Sequence, residues 1–452
     1  MIKSRNMSNT PPIQGPVADY INGINNGNLD LVLGSFLPEA EIIDDGKKYT
    51  GEAIKSFIKD GVLGHNSKME VLSSTSDNSD TTHVHVLMDG DFASYGIHEP
   101  FDLFLTFTLV SNKIQHLVQG DVDGAKPTMR TVYAASGNLD DPLSSLRIGR
   151  RNLPDPPQGF VRVKMEAVGL NFHDVFTLRG ISMHQIRFPM ILGNEGAGVL
   201  DDGTKVALYP NMGDVDYKGD ETLDPTRHVL GEKVQGTLAE YVCVPRRNAV
   251  PRPQGLDARS ASVMGIAWLT AYRMLFSRAN LRPGHTILVQ GSSGGIATAL
   301  VQLGTAAGYR VWTTGRTAEK RALATKLGAE RTFRSLETLP EQVDAVFDLS
   351  GSATIAHSIR SVKTGGAVVI CGVHSDNGTT VVPIDLLPVM VNSLSITGVY
   401  TGTREEFVDL LSFVAAKEIK PYIGQVLPLE RAEEGLRDIW EGRTSGKIVI
   451  EL

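Results

Sequence analysis

Three glycines and two serines follow a short apolar run in the second half of the sequence, and together they could hold a phosphate group. The run extends from Thr286 to Gln290, and the turn after it reads GSSGGIA. Apolar residues then recur at helical spacing, so the segment predicts a strand, a turn and the start of a helix. Backbone N–H groups at the start of a helix point outward and bind anions. The turn is therefore a candidate for holding the pyrophosphate of a dinucleotide.

The residues of this turn have distinct expected roles. Gly291 would permit a tight turn, and Gly294 and Gly295 would let the pyrophosphate approach the backbone. The small side chain of Ala297 would let the helix pack closely on the strand. The candidate cofactor-binding residues of the turn are Gly291, Ser292, Ser293, Gly294, Gly295 and Ile296.

A second apolar run, from Arg310 to Thr314, lies where the second strand of a βαβ unit would fall. Its end should lie over the adenosine ribose. Sites for NAD usually place Asp or Glu there to accept from the ribose hydroxyls, whereas this chain continues with Gly315 and Arg316. The segment therefore favours a cofactor with a 2′-phosphate.

The side chains beyond this run also suit a 2′-phosphate. Arg316 can pair with it through the planar guanidinium group. Thr314 or Thr317 can donate a hydroxyl, and Lys320 adds a positive charge one helical turn later. The predicted cofactor is NADP.

Composition bounds the class of protein and its partners. The chain has 452 residues, enough for two or three domains, and a formal net charge of −7. This acidic balance disfavours nucleic acid or an anionic membrane as the main partner. No apolar run approaches the length of a membrane-spanning helix. A small-molecule substrate is the expected partner.

The first residues and the cysteines indicate a cytoplasmic protein. Residues 1–15 have no apolar core after their basic residues, so we expect a disordered lead rather than a secretory signal. Cys243 and Cys371 are the only cysteines, which excludes a disulfide scaffold and a cysteine-rich zinc site.

Residues 16–121 carry helix and strand signals in an order typical of an α+β fold. Two short helices are predicted within residues 16–37, then a hairpin around Asp45-Gly46 and a helix from Glu52 to Val62. Four strand signals follow, at Lys68 to Thr75, Thr81 to Asp89, Pro100 to Val110 and Lys113 to Gly120. This order, with the segment DDGKKYTGEAIKSFI, resembles the nuclear transport factor 2-like superfamily, which includes ketosteroid isomerases and polyketide cyclases.

That resemblance implies a cone in which a curved sheet and helices enclose a pocket. Enzymatic relatives move protons there with an Asp, His or Tyr, and the titratable candidates are His83, His85, Asp91, His98, His116 and Asp121. Alternating strand residues face solvent or another subunit as readily as a pocket. The domain either performs an isomerase or cyclase step in a bifunctional biosynthetic enzyme, or only assembles the protein and binds substrate. We favour assembly, because no paired acid and base can be named.

Ordered motifs along the rest of the chain resemble the medium-chain dehydrogenase/reductase superfamily, in its quinone-oxidoreductase-like branch. They follow a polar linker at residues 122–128 and read MRTVYAASG, NFHDVFTLRG, RFPMILGNEGAGV, GTLAEYVCVP, ASVMGIAWLTAY, the glycine-rich turn, GTREEF and SGKIV. The resemblance implies a GroES-like β-rich catalytic domain from residues 129–258 and 400–452. A Rossmann doubly wound α/β domain would occupy residues 259–399, with the active site in the cleft. It also implies a homodimer or higher homo-oligomer.

The same resemblance predicts that no metal is bound. Zinc-dependent members place a Cys, a His and a Cys at the positions that match Asn171, Asn194 and Ile266. Two amides and an isoleucine cannot supply a catalytic zinc site, although Glu195 remains. The insertion from Asn211 to Val234 has no Cys for a structural zinc. Its acidic residues could hold calcium, but we expect a solvated lid; they are Asp214, Asp216, Asp220, Glu221 and Asp224.

Without a Lewis acid, hydride delivery to an electron-poor acceptor is better suited than oxidation of an unactivated alcohol. We therefore expect an NADPH-dependent reductase of a quinone or an α,β-unsaturated carbonyl, of the enone or enoyl reductase type. The alternatives are a zinc-free alcohol dehydrogenase-like enzyme, the bifunctional enzyme above, and a protein that binds NADPH without turnover.

The resemblance also supplies candidate catalytic residues. Asn171 would orient the nicotinamide ribose or the substrate, and Asp174 would lock the loop, with Arg179 as its candidate partner. Tyr241 and Tyr400 are the candidate proton donors. From the same resemblance, Thr270 and Lys447 would lie at the cofactor, while His173 would point outward.

Overall fold

The computed structural model describes residues 13–44, 47–77, 80–92, 101–119, 128–372 and 381–452. The chain forms two compact units, and the first comprises residues 1–129 with Gly149–Leu153. The second comprises Arg130–Ile148 and Pro154–Leu452. The predicted Asp45-Gly46 turn, His98, Asp121 and residues 122–127 of the linker lie outside the described residues.

Helices begin the first unit and strands complete it, in the predicted order. The elements are α1 (Gly15–Asn26), α2 (Leu29–Gly34), β1 (Phe36–Asp44), β2 (Lys47–Thr50), α3 (Glu52–Ser56), β3 (Lys68–Asp77), β4 (Thr81–Asp89), β5 (Phe101–Val110) and β6 (Lys113–Gln119). A wider π-helical turn, Phe57–Val62, continues α3, so the predicted helix is present with altered geometry. The four predicted strands are confirmed within two residues at each end.

The sheet of the first unit has the order β2-β1-β6-β5-β4-β3. The strands β3 to β6 form an antiparallel meander, and β6 runs parallel to β1. Alternate residues of β4, namely Val84, Val86 and Met88, are buried in the core with α1. In that core Tyr20 and Gln119 are hydrogen-bonded to each other, with Nε2 3.0 Å from Oη. These two buried polar groups therefore satisfy each other.

The second unit begins with a β-rich part. Its elements are β7 (Thr128–Ala134), β8 (Leu146–Asn152), β9 (Phe160–Leu170), α4 (Phe172–Arg179), β10 (Met190–Ile191), β11 (Ala197–Leu200), β12 (Lys205–Leu208), β13 (Asn211–Met212), β14 (His228–Val229), β15 (Tyr241–Pro245) and β16 (Ala249–Pro251). The long strand β9 is central, because β11, β15 and a strand from the end of the chain all pair with it. The residues that follow β9 are thereby held by strands from both ends of the unit.

A parallel sheet follows, as the apolar runs predicted. The elements are α5 (Ala258–Ser262), α6 (Leu269–Arg273), β17 (Thr286–Gln290), α7 (Gly295–Ala306), β18 (Arg310–Gly315), α8 (Ala318–Lys326), β19 (Arg331–Arg334), β20 (Val343–Asp348), α9 (Ile355–Ser361), β21 (Val362–Ile370), α10 (Leu386–Val391) and β22 (Ser395–Gly398). All pairings in the order β19-β18-β17-β20-β21-β22 are parallel. Ligands of such sheets bind at the carboxyl ends of the strands.

The chain then returns to the β-rich part. The last elements are α11 (Arg404–Ala416), β23 (Ile423–Pro428), α12 (Ala432–Trp440) and β24 (Lys447–Glu451). Strand β24 pairs with β9, which brings Lys447 to the end of β9. Within the described ranges, the helices lack the length and apolar character that crossing a membrane requires.

Candidate active site

The glycine-rich turn has the geometry that a bound pyrophosphate needs. Gly291 ends β17 with a φ of 133°, a conformation that favours glycine, and Gly294 caps the start of α7. No other group lies within 4 Å of the position where a Cβ of Gly294 would lie. This open edge and the first N–H groups of α7 can accept a phosphate.

Other residues of the turn contact protein. A Cβ at Gly295 would lie 2.9 Å from Cδ of Lys447, so the absence of a side chain here makes room for Lys447. The carbonyl of Ser293 accepts from Gly446 N–H at 2.6 Å, and Ile296 packs against the core. The expected role of Gly295 in admitting the pyrophosphate stays a prediction.

Ser292 is the turn residue whose side chain is free for a ligand. It is 4% exposed, and its Oγ has no hydrogen-bond partner among the described residues. A side chain at Gly315 would collide with this Oγ, so the two residues face each other across the ends of β17 and β18. A buried hydroxyl without a partner is costly, and an adenosine ribose would satisfy it.

Four cations surround Gly315, and we call them the basic corner: Arg316, Lys320, Arg321 and Arg334. Arg321 donates to the carbonyl of Gly315 at 2.8 Å. Arg334 ends β19 at the register position beside Gly315, and sequence reasoning missed it. The guanidinium groups of Arg316 and Arg334 are exposed and make no ion pair with the described residues. The parallel strands β18 and β19 therefore end at the same edge of the sheet, each with an arginine that makes no ion pair with the described residues.

The structure separates the two threonines proposed for the phosphate. Thr314 is buried and donates to Oε1 of Gln290 at 2.9 Å, so its hydroxyl is already used and the expectation for it is wrong. Thr317 caps α8, where its Oγ1 accepts from Lys320 N–H at 3.3 Å. A hydroxyl that accepts still has a proton to donate, so Thr317 remains available.

A buried charged cluster lies where β9 ends. Lys447 Nζ donates to Glu195 Oε1 at 2.8 Å, to Asn171 Oδ1 at 2.5 Å and to the Leu170 carbonyl at 2.5 Å. Asn171 Nδ2 donates to Glu195 Oε1 at 2.9 Å, and Ile266 N–H donates to Oε2 at 2.7 Å. All three donors of the ammonium group are used within the protein, and the side chain of Lys447 lies against Gly295 of the glycine-rich turn. The expected place of Lys447 at the cofactor stays a prediction.

Asp174 holds the loop in place through hydrogen bonds to the backbone, as the sequence predicted. Its carboxylate accepts from Asn171 N–H at 2.8 Å and from Gly193 N–H at 2.7 Å. Burial raises its pKa to about 6, although both backbone hydrogen bonds oppose this. Arg179 instead donates to the Leu139 carbonyl, so the expected pair is absent. These contacts make Asp174 a positioning residue for Asn171, and a direct catalytic role for Asp174 stays a prediction.

The residues at the three zinc-ligand positions do not fit a zinc ion. Asn171 and Ile266 both contact Glu195, and Asn194 lies next to it. The Lys447 ammonium group already neutralises the carboxylate, and a second cation would be repelled. Among the described residues, no group of three or more His, Cys, Asp or Glu could hold a metal. We derive no step through zinc.

The two candidate tyrosines lie in different places. Tyr241 pairs with Lys164 and lies beside Arg162, about 20 Å along β9 from Asn171 by strand geometry. The structure does not bring it to the cluster. The Oη of Tyr400 is buried without a hydrogen-bond partner among the described residues, and burial raises its pKa to about 12.

Thr270 and His173 also depart from simple expectation. Thr270 is buried within α6, one turn beyond Ile266, and touches neither the turn nor the basic corner in the described contacts. His173 packs against Phe176 rather than pointing freely outward. Burial lowers its pKa, and the charge of Glu232 opposes that shift.

The acidic insertion is fastened to the protein and is not a solvated lid. Asp220 pairs with Arg273, which is 3% exposed, and Glu221 pairs with Arg247 at 2.6 Å. Asp224 accepts from the backbone N–H groups of Asp214 and Thr226, each at 2.7 Å. Three of the five acidic residues considered for calcium binding thus already bind donors of the protein.

Comparison with known proteins agrees with this architecture. A family model described as "Alcohol dehydrogenase GroES-like domain" matches residues 157–254, and one described as "Zinc-binding dehydrogenase" matches residues 295–416. Both matches, together with related quinone oxidoreductases, support the medium-chain dehydrogenase/reductase superfamily for the part of the chain that they cover. The chain is an oxidoreductase with a GroES-like part and a Rossmann-type nucleotide-binding part, as the motifs predicted.

The relatives of this oxidoreductase differ in activity. It is 28% identical over 322 residues to a quinone oxidoreductase of Mus musculus, covering 66% of the chain and 91% of the relative. It is 28% identical over 334 residues to an alcohol dehydrogenase of Geobacillus stearothermophilus, covering 68% and 96%. A solved NAD-dependent alcohol dehydrogenase superposes with a TM-score of 0.66 at 29% identity, covering 72% of this chain and 100% of the other. The superfamily binds a nicotinamide cofactor, and the acceptor has to be argued from the site.

Proposed function

We propose that this oxidoreductase uses NADPH, needs no zinc, and reduces a quinone or the carbon–carbon double bond of an α,β-unsaturated carbonyl. The observation that carries the proposal is the Lys447, Glu195 and Asn171 cluster at the zinc-ligand positions. Oxidation of a simple alcohol needs a cation to stabilise the developing alkoxide. Lys447 is buried against its partners and does not reach a substrate, so an activated acceptor is better suited.

The basic corner supports NADPH over NADH. Arg316 and Arg334 flank Gly315, and no carboxylate of β18 stands where a ribose 2′-hydroxyl would need one. A guanidinium group binds phosphate through two parallel hydrogen bonds. Ser292 Oγ would then meet the ribose, and the N–H groups at the start of α7 would bind the pyrophosphate.

Bound NADPH supplies a hydride, and the chain must orient the acceptor and provide a proton. Asn171 is fixed on both sides of its amide, so it defines one wall of the site. Tyr400 is our proposed proton donor, because its buried Oη has no hydrogen-bond partner among the described residues and a phenol is protonated at neutral pH. If Tyr400 were only a packed aromatic residue, its hydroxyl would normally reach water, whereas its Oη is buried.

The test is consumption of NADPH, followed by absorbance, with benzoquinone, cyclohexenone, benzalacetone, hexenal and a butenoyl thioester. The proposal expects turnover with at least one of these and slower turnover with NADH. No turnover with any of them, together with oxidation of simple alcohols, would contradict it.

We also propose that the first unit is a nuclear transport factor 2-like domain that serves assembly or substrate binding. The sheet order with β6 beside β1, covered by helices on one face, supports the resemblance. The fully buried Oη of Tyr20 accepts from Gln119 Nε2, and burial raises the pKa of this tyrosine, which makes it poorly suited to proton transfer. An isomerase or cyclase step would instead require an acid and base facing a cavity.

Self-association is proposed through the edge of the parallel sheet. Strand β22 pairs with β21 on one side only within the described residues. The adjoining helix α10 exposes apolar side chains, which are Leu386, Leu387, Met390 and Val391, each at least 62% exposed. An unpaired edge beside an apolar surface suits a second copy related by a two-fold axis.

A further inference from the structure

Three of the buried side-chain atoms that have no hydrogen-bond partner among the described residues bear on this inference. They are Oδ1 of Asn194, Nε of Arg227 and Oη of Tyr400. Asn194 is fully buried, and its Nδ2 donates to the Leu230 carbonyl at 3.3 Å. Buried polar groups are normally satisfied. Arg227 and Tyr400 lie in contact with each other, so their two unpaired atoms mark a candidate site for a polar ligand.

Arg227 and Tyr400 form one wall of this site. The guanidinium carbon of Arg227 lies 5.4 Å from the ring centroid of Tyr400. Arg227 Nη1 donates to the Asp224 carbonyl at 3.1 Å, and the Arg227 carbonyl accepts from His184 Nε2 at 2.7 Å. Nη1 is thus anchored, and the guanidinium group lies over the Tyr400 ring while Nε has no hydrogen-bond partner among the described residues.

The insertion that carries Arg227 is held against the segment that carries Tyr400. Asn211 Nδ2 donates to Thr401 Oγ1 and to the Gly402 carbonyl, both at 2.8 Å. Buried Arg273 pairs with Asp220 of the insertion and, at 2.7 Å, with Glu406 of α11. Arg227 and Tyr400 are therefore positioned in advance, as transition-state stabilisation by fixed donors requires.

The charges around this wall favour a substrate with a neutral carbonyl oxygen, which becomes negative only during the reaction, over a substrate that carries a carboxylate. Glu232 is buried, and it accepts from Ser182 Oγ and from the N–H groups of Met183 and Val229. Its negative charge raises the pKa of Tyr400, while Arg227 opposes this. One cation, one phenol and one nearby carboxylate leave little net charge, which suits an oxygen that becomes negative only during reaction.

We propose that Arg227 and Tyr400 bind the carbonyl oxygen of an α,β-unsaturated ketone, aldehyde or thioester, and that Arg227 is a catalytic residue which stabilises the enolate. This inference rests on the proposed reductase function and narrows its acceptor class. Hydride addition forms a C–H bond at the β-carbon, the C=C π pair shifts to join the α-carbon and the carbonyl carbon, and the C=O π pair moves onto the oxygen as an enolate. The enolate oxygen takes the proton of Tyr400 Oη, and the enol becomes the saturated carbonyl when solvent moves that proton to the α-carbon. Solvent returns a proton to the Tyr400 phenolate.

The experiment compares Arg227→Gln, Arg227→Lys and Tyr400→Phe in the full chain with wild type, using the best enone or enoyl substrate from the acceptor panel. Loss of one oxyanion donor typically lowers kcat about 100-fold to 1,000-fold, and we expect at least a 100-fold loss for Arg227→Gln. Arg227→Lys should retain part of the activity. Lys218→Gln removes an exposed cation from the same insertion and should leave kcat within twofold.

Two further readouts separate catalysis from structure. The dissociation constant of NADPH, measured by fluorescence, should stay within twofold in Arg227→Gln, and added guanidinium ion should restore part of the activity of Arg227→Ala. Wild-type kcat in Arg227→Gln, with NADPH consumption intact, would overturn the inference and leave the proposed function standing. Absence of NADPH consumption by wild type would overturn both.

Discussion

Nζ of Lys447 lies 2.8 Å from Oε1 of Glu195, although 251 positions separate the two residues in the chain and both are almost completely buried. Removing one member of a buried pair leaves an uncompensated charge and costs about 3–5 kcal/mol. We therefore expect Lys447→Met to lower the free energy of unfolding in urea by about that amount.

The matched control for this pair is Arg431, whose ion pair with Glu434 is about half exposed on both sides. Arg431→Ala should cost about 0–1 kcal/mol, because surface pairs contribute little. A loss below about 1 kcal/mol for Lys447→Met would mean that the pair is open to water in solution.

The second prediction concerns cofactor choice at the basic corner. Arg316→Ala and Arg334→Ala should each raise the Michaelis constant for NADPH at least about tenfold relative to NADH, because a charge-assisted phosphate contact contributes about 1.5–3 kcal/mol. Lys326→Ala is the control, since it removes a cation at the opposite end of α8 from Lys320. If Arg316→Ala changes the preference for NADPH and Arg334→Ala does not, Arg334 at the end of β19 plays no part in binding the phosphate.

A pH dependence of stability follows from Asp174. Its folded pKa of about 6 exceeds the ordinary value of 3.8, so between these values the folded state binds a proton that the unfolded state has lost. This group therefore makes its stabilising contribution at low pH and loses it as pH rises from about 4 to about 6. The difference in unfolding free energy between wild type and Asp174→Asn should fall across that window. A difference that rises or stays level would contradict the raised pKa.

Self-association should depend on the apolar face of α10. Leu387→Lys with Met390→Lys places two charges on that face, where burial against a second copy would be unfavourable. We expect the variant to be a monomer by light scattering and the wild type a dimer. Leu139→Lys, at a site 54% exposed elsewhere, should not change the mass. A dimeric double variant would move the interface to another surface.

Local sequence patterns predicted the strand, turn and helix at Gly291 because each depends on residues near one another in the chain. The sequence does not reveal that the side chain of Thr314 is buried, because β18 is buried on both faces and its sequence does not alternate between polar and apolar residues. The position of Arg334 beside Gly315 and the contact of Lys447 with Glu195 depend on strand pairing between distant segments. The available signal for Arg334 is the short run from Arg331 to Arg334, which ends in an arginine.

The most direct measurement is the position of the transferred hydrogen. Metal-stripped protein would be given NADPH deuterated at its transferable hydrogen and an enone such as benzalacetone, and the product would be analysed by nuclear magnetic resonance. The proposed function predicts a saturated ketone with deuterium on the β-carbon, formed at the same rate with or without chelator. Deuterium on the carbinol carbon of an unsaturated alcohol, or activity that returns only when zinc is added, would contradict it.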